Sequence, residues 1–357
     1  MENLSVSAAL ETFFDLPQPL GGVGTKSPCE FFDTRPKEER RLMFGREKEF
    51  TDVERDLRSG FWPVLLGPKR VGKTSIMKVI VKENAGIYVD ASTSVTAANL
   101  GTRLIDEVES GRVKVGVKLD FVVIKAELSR QPIRTLEGFL KKIGEKIVAI
   151  DEAQNLNDPM LPRLFSVVYN EAKVKMMFSG SEKGLLKRFS GSQMLGRPVQ
   201  NEEIRPFDSD TARGFLQAGF DSCRVSYEER EVEDAVSAFA GIVGWLSYYG
   251  AKRADGMIHK KAISQVREAA REVVQKELSK LGPLEAAIVK GIAVAEHDVG
   301  WDEAKSLTKA HNKGKDPDNK SFSRSLKALA DLRIVGKDGD RYFLLDPLYK
   351  LSRAERE

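Results

Sequence analysis

The sequence predicts an α/β fold, a parallel sheet built around a phosphate-binding loop, with a helical lid and a small C-terminal unit after it. Three stretches carry this. Residues 62–66 form a short apolar run (Trp62-Pro63-Val64-Leu65-Leu66) that enters Gly67-Pro68-Lys69-Arg70-Val71-Gly72-Lys73-Thr74 and leaves through Ser75-Ile76-Met77 with helical periodicity. That is the strand, loop and helix context required by the pattern G-x-x-x-x-G-K-[ST]. Residues 146–150 are a second buried run ending in Asp151-Glu152, and residues 174–179 are a third that breaks at Gly180. Near-continuous apolar strands are those of a parallel sheet covered on both faces.

Composition bounds the reading. The chain has 357 residues, room for two or three domains, and its 41% hydrophobic and 31% charged content is that of a globular protein. No stretch approaches the roughly 18 apolar residues of a membrane span. The first 24 residues lack the basic start and apolar run of a secretory signal, so a cytoplasmic location is expected. Cys29 and Cys223 lie far apart in the chain, which argues against a disulfide framework; both read as small incidental side chains in a reducing compartment. His259, His297 and His311 do not cluster, so no His/Cys metal site is indicated. A net charge of +4 and a pI near 8.8 permit nucleic-acid binding without demanding it.

In chain order, residues 1–30 read as a flexible or partner-docking tail. Glu47, Phe50, Val53 and Leu57 recur at helical spacing. The apolar segment around Phe44-Gly45-Arg46 either walls a nucleotide base, with Arg46 beside it, or belongs to a surface helix packed on the sheet. After the loop helix, Ile87-Tyr88-Val89-Asp90 reads as a strand and residues 97–109 as a helix. Residues 113–119 and 121–128 alternate apolar and charged side chains, a pattern expected of a half-exposed hairpin. A further helix is expected over about 133–143.

The chemistry concentrates at the strand ends. Gly67 and Gly72 let the loop turn its N–H groups inward as an anion cradle, and the following helix points its positive end at the same place. Gly67, Pro68, Lys69, Arg70, Val71, Gly72, Lys73, Thr74 and Ser75 are the expected nucleotide-binding residues. Lys73 would meet the β- and γ-phosphates, and Thr74 with Asp151 would hold Mg²⁺. Glu152 is placed to polarise the attacking water as general base, the alternative being two acids that cap the next helix. Ser179 or Ser181, at the tip of a strand between the other two, would touch the γ-phosphate or orient water, though Ser181 also suits a helix N-cap. Arg188 and Arg197 are candidate cations for transition-state charge, against the alternative of solvated arginines.

Taken together, Phe44-Gly45-Arg46-Glu47, the loop at 67–74, Ile150-Asp151-Glu152-Ala153-Gln154, Phe178-Ser179-Gly180-Ser181-Glu182, Leu195-Gly196-Arg197 and Arg205-Pro206-Phe207 resemble the archaeal ATPase family, of the STAND branch of the AAA+ ATPases. The resemblance runs from about residue 31 to 351 and includes Ala240-Gly241-Ile242-Val243-Gly244-Trp245-Leu246, where Val243 stands in place of the family's lid proline beside the nucleotide, and Asp346-Pro347. It implies that the Ser179 strand is inserted between the Gly67 and Asp151 strands, that helices over about 209–280 form a lid, and that ATP and ADP are the ligands of a slow, switch-like ATPase with Arg197 sensing the γ-phosphate.

The expected organisation is a tail (1–30), a P-loop ATPase core (31–207), a helical lid (208–281) and a winged-helix unit (282–357). In the last, helices over about 284–295, 301–309 and 320–332 precede two short strands. Lys320, Arg324, Lys327, Lys337 and Arg341 would contact duplex phosphates if the unit binds DNA, the alternative being a protein-docking module. The functional expectation is a Mg²⁺-dependent ATP-hydrolysing switch reporting nucleotide state to a protein or DNA partner, with oligomerisation left open. The alternative is a DNA-processing or replication-initiator-like ATPase. A small-molecule kinase uses the same loop but is disfavoured by the absence of an acceptor-substrate motif.

Overall fold

The computed structural model describes residues 29–180, 199–295, 297–332 and 334–352. Helix α1 (Glu47–Arg58) buries Phe50, Val53 and Leu57, the apolar stripe of its sequence. It leads to β1 (Trp62–Leu66), α2 (Lys73–Glu83), β2 (Ile87–Asp90) and α3 (Ala97–Glu109). Next come α4 (Phe121–Arg130), α5 (Pro132–Lys142), β3 (Ile147–Asp151), α6 (Leu161–Glu171), β4 (Lys175–Gly180) and β5 (Val199–Glu203). The five strands form one parallel sheet in the order β2-β3-β4-β1-β5, so β4 lies between β1 and β3, as the family resemblance implies. Odd and even positions separate the two faces. Val64, Leu66, Val148, Ile150, Met176 and Phe178 pack against α3 to α6. Leu65, Ile147, Ala149 and Met177 pack against α1 and α2.

One expectation is corrected here, and one strand appears that the sequence did not suggest. Residues 121–128 are not a hairpin strand but the body of α4, and residues 113–119 are irregular chain with bends rather than a strand. The side chains of Phe121-Val122-Val123-Ile124 do not settle the period. Asp120 does, by accepting the Val123 N–H as an N-cap, and the half-buried positions Phe121 and Ile124 with buried Leu128 then share one face. Strand β5 has no apolar run at all. Val199-Gln200-Asn201-Glu202-Glu203 is a sheet edge, carried by its backbone pairing to β1.

The second half is helical: α7 (Ser209–Cys223), α8 (Glu229–Phe239), α9 (Val243–Ala254), α10 (His259–Leu278), α11 (Pro283–Val294), α12 (Trp301–His311) and α13 (Asn319–Asp331). An antiparallel pair follows, β6 (Val335–Asp338) and β7 (Arg341–Leu344), and then a 3₁₀ segment, Pro347–Ser352. Val299 adds a bridge to Tyr342. Three helices and a hairpin is the element order expected of the C-terminal unit. One apolar core runs through all of this half, from Phe32 and Phe215 through Phe239 and Val266 to Ile288, Phe322 and Tyr349.

The cysteine reading is also corrected. Cys29 and Cys223 form a disulfide across a sequence separation of 194, with Cα atoms 5.6 Å apart. Distance along the chain is not distance in the fold. Residues 29–44 return as a strap over α7 and α9, and Phe32 fills a notch that only glycine allows. A Cβ on Gly219 would lie 2.1 Å from its ring, and one on Gly250 2.3 Å. The residue at the end of α7 is thereby brought beside Cys29, and the argument for a reducing compartment lapses. No described helix is long and apolar enough to cross a membrane.

Candidate functional site

The site begins where β1 ends. Ile204 donates its N–H to Leu66 O at 2.7 Å, and its own carbonyl lies where a Cβ on Gly67 would be, 2.1 Å away. Glycine is therefore required at the entry to the loop. Arg70 holds a left-handed backbone (φ 65°), a conformation non-glycine residues keep only when their surroundings impose it. Lys73, almost wholly buried, donates from Nζ to Gly67 O at 2.9 Å and to Pro68 O at 2.7 Å. Its ammonium thus sits inside the curl of the loop, at the start of α2, where the helix dipole favours an anion.

Asp151 is the second pole. β3 delivers it buried at the carboxyl end of the sheet, and four donors converge on it. Thr74 Oγ1 and Tyr88 OH donate to Oδ2 at 2.6 and 2.8 Å, the Ser179 hydroxyl donates to Oδ1, and the Glu152 N–H donates to Oδ1 at 3.1 Å. The register explains the meeting. Asp90 pairs with Asp151 on one side, and Ile150 pairs with Phe178 on the other, which brings Ser179 alongside. Burial, reinforced by the Asp151 charge, raises the Tyr88 phenol, so its proton stays in place to donate. Glu152 turns out of the strand in a left-handed conformation (φ 52°) and takes a hydrogen bond from the Gln154 amide. A strained residue at a strand tip is the kind of backbone that functional sites retain. Thr74 and Asp151 bring together two hard oxygen groups, here hydrogen-bonded to each other at 2.6 Å, and oxygen is the donor type Mg²⁺ takes.

The helical half grips this loop from outside. Gly244 N donates to Arg70 O at 3.0 Å, and the Arg70 guanidinium lies 4.2 Å from the centre of the Trp245 ring. Val243, the first residue of α9, reaches within 3.9 Å of where a Gly72 Cβ would be. It occupies the helix position at which proline is most readily accepted, so valine in place of proline leaves the helix start intact. Arg46, buried, donates to Val71 O at 2.9 Å and Arg205 O at 2.8 Å, pairs with Glu49 and stacks on Phe207. It braces the loop against the segment entering α7. Phe44 joins Phe31, Phe207 and Phe215 in an aromatic group at the same seam. Ser75 accepts the Lys37 N–H.

Sequence reasoning and structure meet at Lys73, Thr74, Asp151, Glu152 and Ser179, which come together in one place. Ser181, Arg188 and Arg197 lie outside the described residues. Tyr88 was missed, and strand alternation would have pointed to it: it pairs with Ala149, two residues before Asp151, so its side chain falls on the same face of the sheet as the Asp151 carboxylate. Of the loop's partners, Trp245 was marked only as part of the motif at 240–246, and Glu277 carried no local signal.

Comparison with known proteins agrees with this geometry. Residues 43–248 match a family model described as an ATPase domain predominantly from Archaea. The chain belongs to this family. It is an ATPase of the P-loop, AAA+ kind. The solved Walker-type ATPase PABY2304 of Pyrococcus abyssi is 27% identical, with a TM-score of 0.80 over 90% of this chain and all of that one. The ORC2 protein of Aeropyrum pernix, solved as ADPNP–ADP complexes, is 16% identical with a TM-score of 0.59, over 90% of this chain and 96% of that one; this likeness is one of fold. Comparison with curated protein sequences gave no match.

Proposed function

We propose that this ATPase is a Mg²⁺-dependent switch, with a core over 31–207, a lid over 208–281 and a winged-helix unit over 282–357 that meets the partner. The observation that carries it is the convergence of Thr74, Ser179 and Tyr88 on Asp151 beside a phosphate loop held by the lid. Lys73 exchanges its loop carbonyls for the β- and γ-phosphates of ATP. Thr74 and Asp151 hold Mg²⁺, which when bound neutralises phosphate charge. Glu152 takes the proton of the attacking water, and Ser179 keeps the Asp151 carboxylate oriented. Arg197 senses the γ-phosphate, and Val243 and Phe44 border the base. The family resemblance supports the STAND assignment and a cytoplasmic setting.

Steady-state ATP hydrolysis, with and without Mg²⁺, tests this. Lys73→Ala should lower turnover by about 100-fold or more. Glu152→Gln should lower it by roughly 100- to 10,000-fold while ATP still binds. Unimpaired hydrolysis in Lys73→Ala would sink the phosphate-loop assignment, and near-normal turnover in Glu152→Gln would remove the general base.

A second reading, a duplex-DNA ATPase, is favoured by one surface. Lys320, Arg324 and Lys327 are exposed on one face of α13, at i, i+4 and i+7, and the hairpin presents Lys337 and Arg341. Turnover stimulated by duplex DNA and fading as salt rises would select it; turnover indifferent to DNA would leave a protein partner.

A further inference from the structure

The phosphate loop has two sets of cations facing opposite ways. Lys73 is folded into the loop, whereas Lys69 and Arg70 reach outward to the helical half. Lys69 Nζ meets Glu277 Oε1 at 2.6 Å, in the last turn of α10. The other oxygen of the same carboxylate, Oε2, accepts the Tyr349 hydroxyl at 2.5 Å. Tyr349 belongs to the 3₁₀ segment Pro347–Ser352, and its N–H bonds Asp346 O at 3.1 Å. The ring is buried in the helical core, with only 5% of its surface exposed. Burial and the Glu277 charge hold the phenol protonated, so it stays a donor.

We infer that Glu277 is a positioning residue that joins the phosphate loop to the C-terminal segment, through the chain Lys69–Glu277–Tyr349. This rests on the proposed switch and names its internal route. The loop peptide at Arg70 is in a left-handed conformation and is held by Gly244 N–H, by the Trp245 ring and, one residue earlier, by the Lys69 ion pair. A polyphosphate entering the cradle competes for the loop's cations and N–H groups. Any resetting of the 69–70 peptide then pulls on Glu277, and Glu277 carries the change to Tyr349. Each of its two carboxylate oxygens serves one neighbour, so a neutral amide would keep the shape while weakening both links.

The test is hydrogen–deuterium exchange of the full chain over 345–352, without nucleotide and with a non-hydrolysable ATP analogue. It is done in the wild type, Glu277→Gln and Tyr349→Phe, with the analogue's Kd measured for each. The expected result is an exchange rate at 347–352 that changes at least about 5-fold on binding in the wild type. In both variants that change should fall below about 2-fold, while Kd stays within about 3-fold. Tyr349→Phe keeps the buried ring, so it tests the hydrogen bond without a cavity. A wild-type response that survives in Tyr349→Phe would overturn the relay and leave the switch standing. No nucleotide response at 347–352 in a wild type that binds the analogue would overturn it equally. Failure of the wild type to bind the analogue at all would strike the phosphate-site reading itself.

Discussion

The sheet layer and the helical layer are built on different plans. Around the sheet, buried side chains fall into two separate cores, one on each face, because alternate residues of each strand point opposite ways. In the helical layer a single core runs from the strap residue Phe32 to Tyr349, across the boundary expected near residue 281. Among the described residues the apolar clusters of the two layers share no member. Around the loop they meet through hydrogen bonds, ion pairs and rings: Arg46 with Arg205 O, Arg70 with Trp245 and Gly244, Lys69 with Glu277. Polar contacts of this kind re-form in more than one arrangement, and interdigitated cores do not. The molecule is therefore expected to bend at the phosphate loop, with the helices from α7 to α13 moving as one body.

The largest effect should come from breaking the single core. Phe32→Ala empties the notch between Gly219 and Gly250 and should cost about 3–5 kcal/mol. Hydrogen exchange should then rise together in α7, α9 and α11 while β1 and β3 keep their protection. Phe165→Ala, in the core on one face of the sheet, should cost a similar amount but leave the helical layer protected. Loss confined to α7 in the first variant would show that the helical layer is two bodies.

The disulfide sharpens the same comparison from outside the core. Cys29–Cys223 fastens the strap to α7, and the same strap reaches α2 through Lys37 with Ser75, Glu38 with Lys78 and Arg40 with Glu83. Those surface ion pairs contribute little alone, whereas closing so long a loop stabilises by about 2–4 kcal/mol. Cys29→Ser, or reduction of the wild type, should lower the free energy of unfolding by that amount, and thiol titration of the native chain should find no free Cys29 or Cys223. Two reactive thiols before reduction would remove the bond.

Arg46 is the clamp between the layers, and its planar fork is what the position needs. Arg46→Lys keeps the charge but, as a single ammonium without the planar fork, does not span Val71 O, Arg205 O and Glu49 together, leaving the buried Val71 carbonyl unmet at a cost of about 1–3 kcal/mol. Thermal unfolding should show the loss; an unchanged midpoint would mean that water replaces the guanidinium.

Legibility in the sequence follows the same division. The strands that meet at the site are continuous apolar runs, and the loop and the Asp151-Glu152 pair are local patterns, so the sheet and its chemistry can be read from short windows. Where the sequence misled or was silent, the deciding contact was either a single cap or remote. Asp120 turns an alternating stretch into α4, and β5 exists only because β1 offers it an edge. Cys29 finds Cys223, and Lys69 finds Glu277, through a packing that no window contains.

The smallest effect concerns Asp346, at the C-terminal end of that packing. Burial pushes its carboxyl up from 3.8 to about 6, with the Glu277 charge adding to the rise. The Leu348 N–H, Arg70 and Lys69 oppose it. Desolvation therefore outweighs the loop's cations. Between pH 4 and 6 the folded chain keeps a proton that the unfolded chain releases, so this group's contribution to stability is greatest below about pH 4 and falls as pH rises through 6. Asp346→Asn mimics the neutral acid at every pH. It should match the wild type near pH 4 and exceed it at pH 7 by at most about 2–4 °C in Tm. A variant less stable than the wild type at pH 7 would mean that Lys69 and Arg70 hold an ionised Asp346. The seam between loop and C-terminal segment would then be governed by charge pairing rather than by burial.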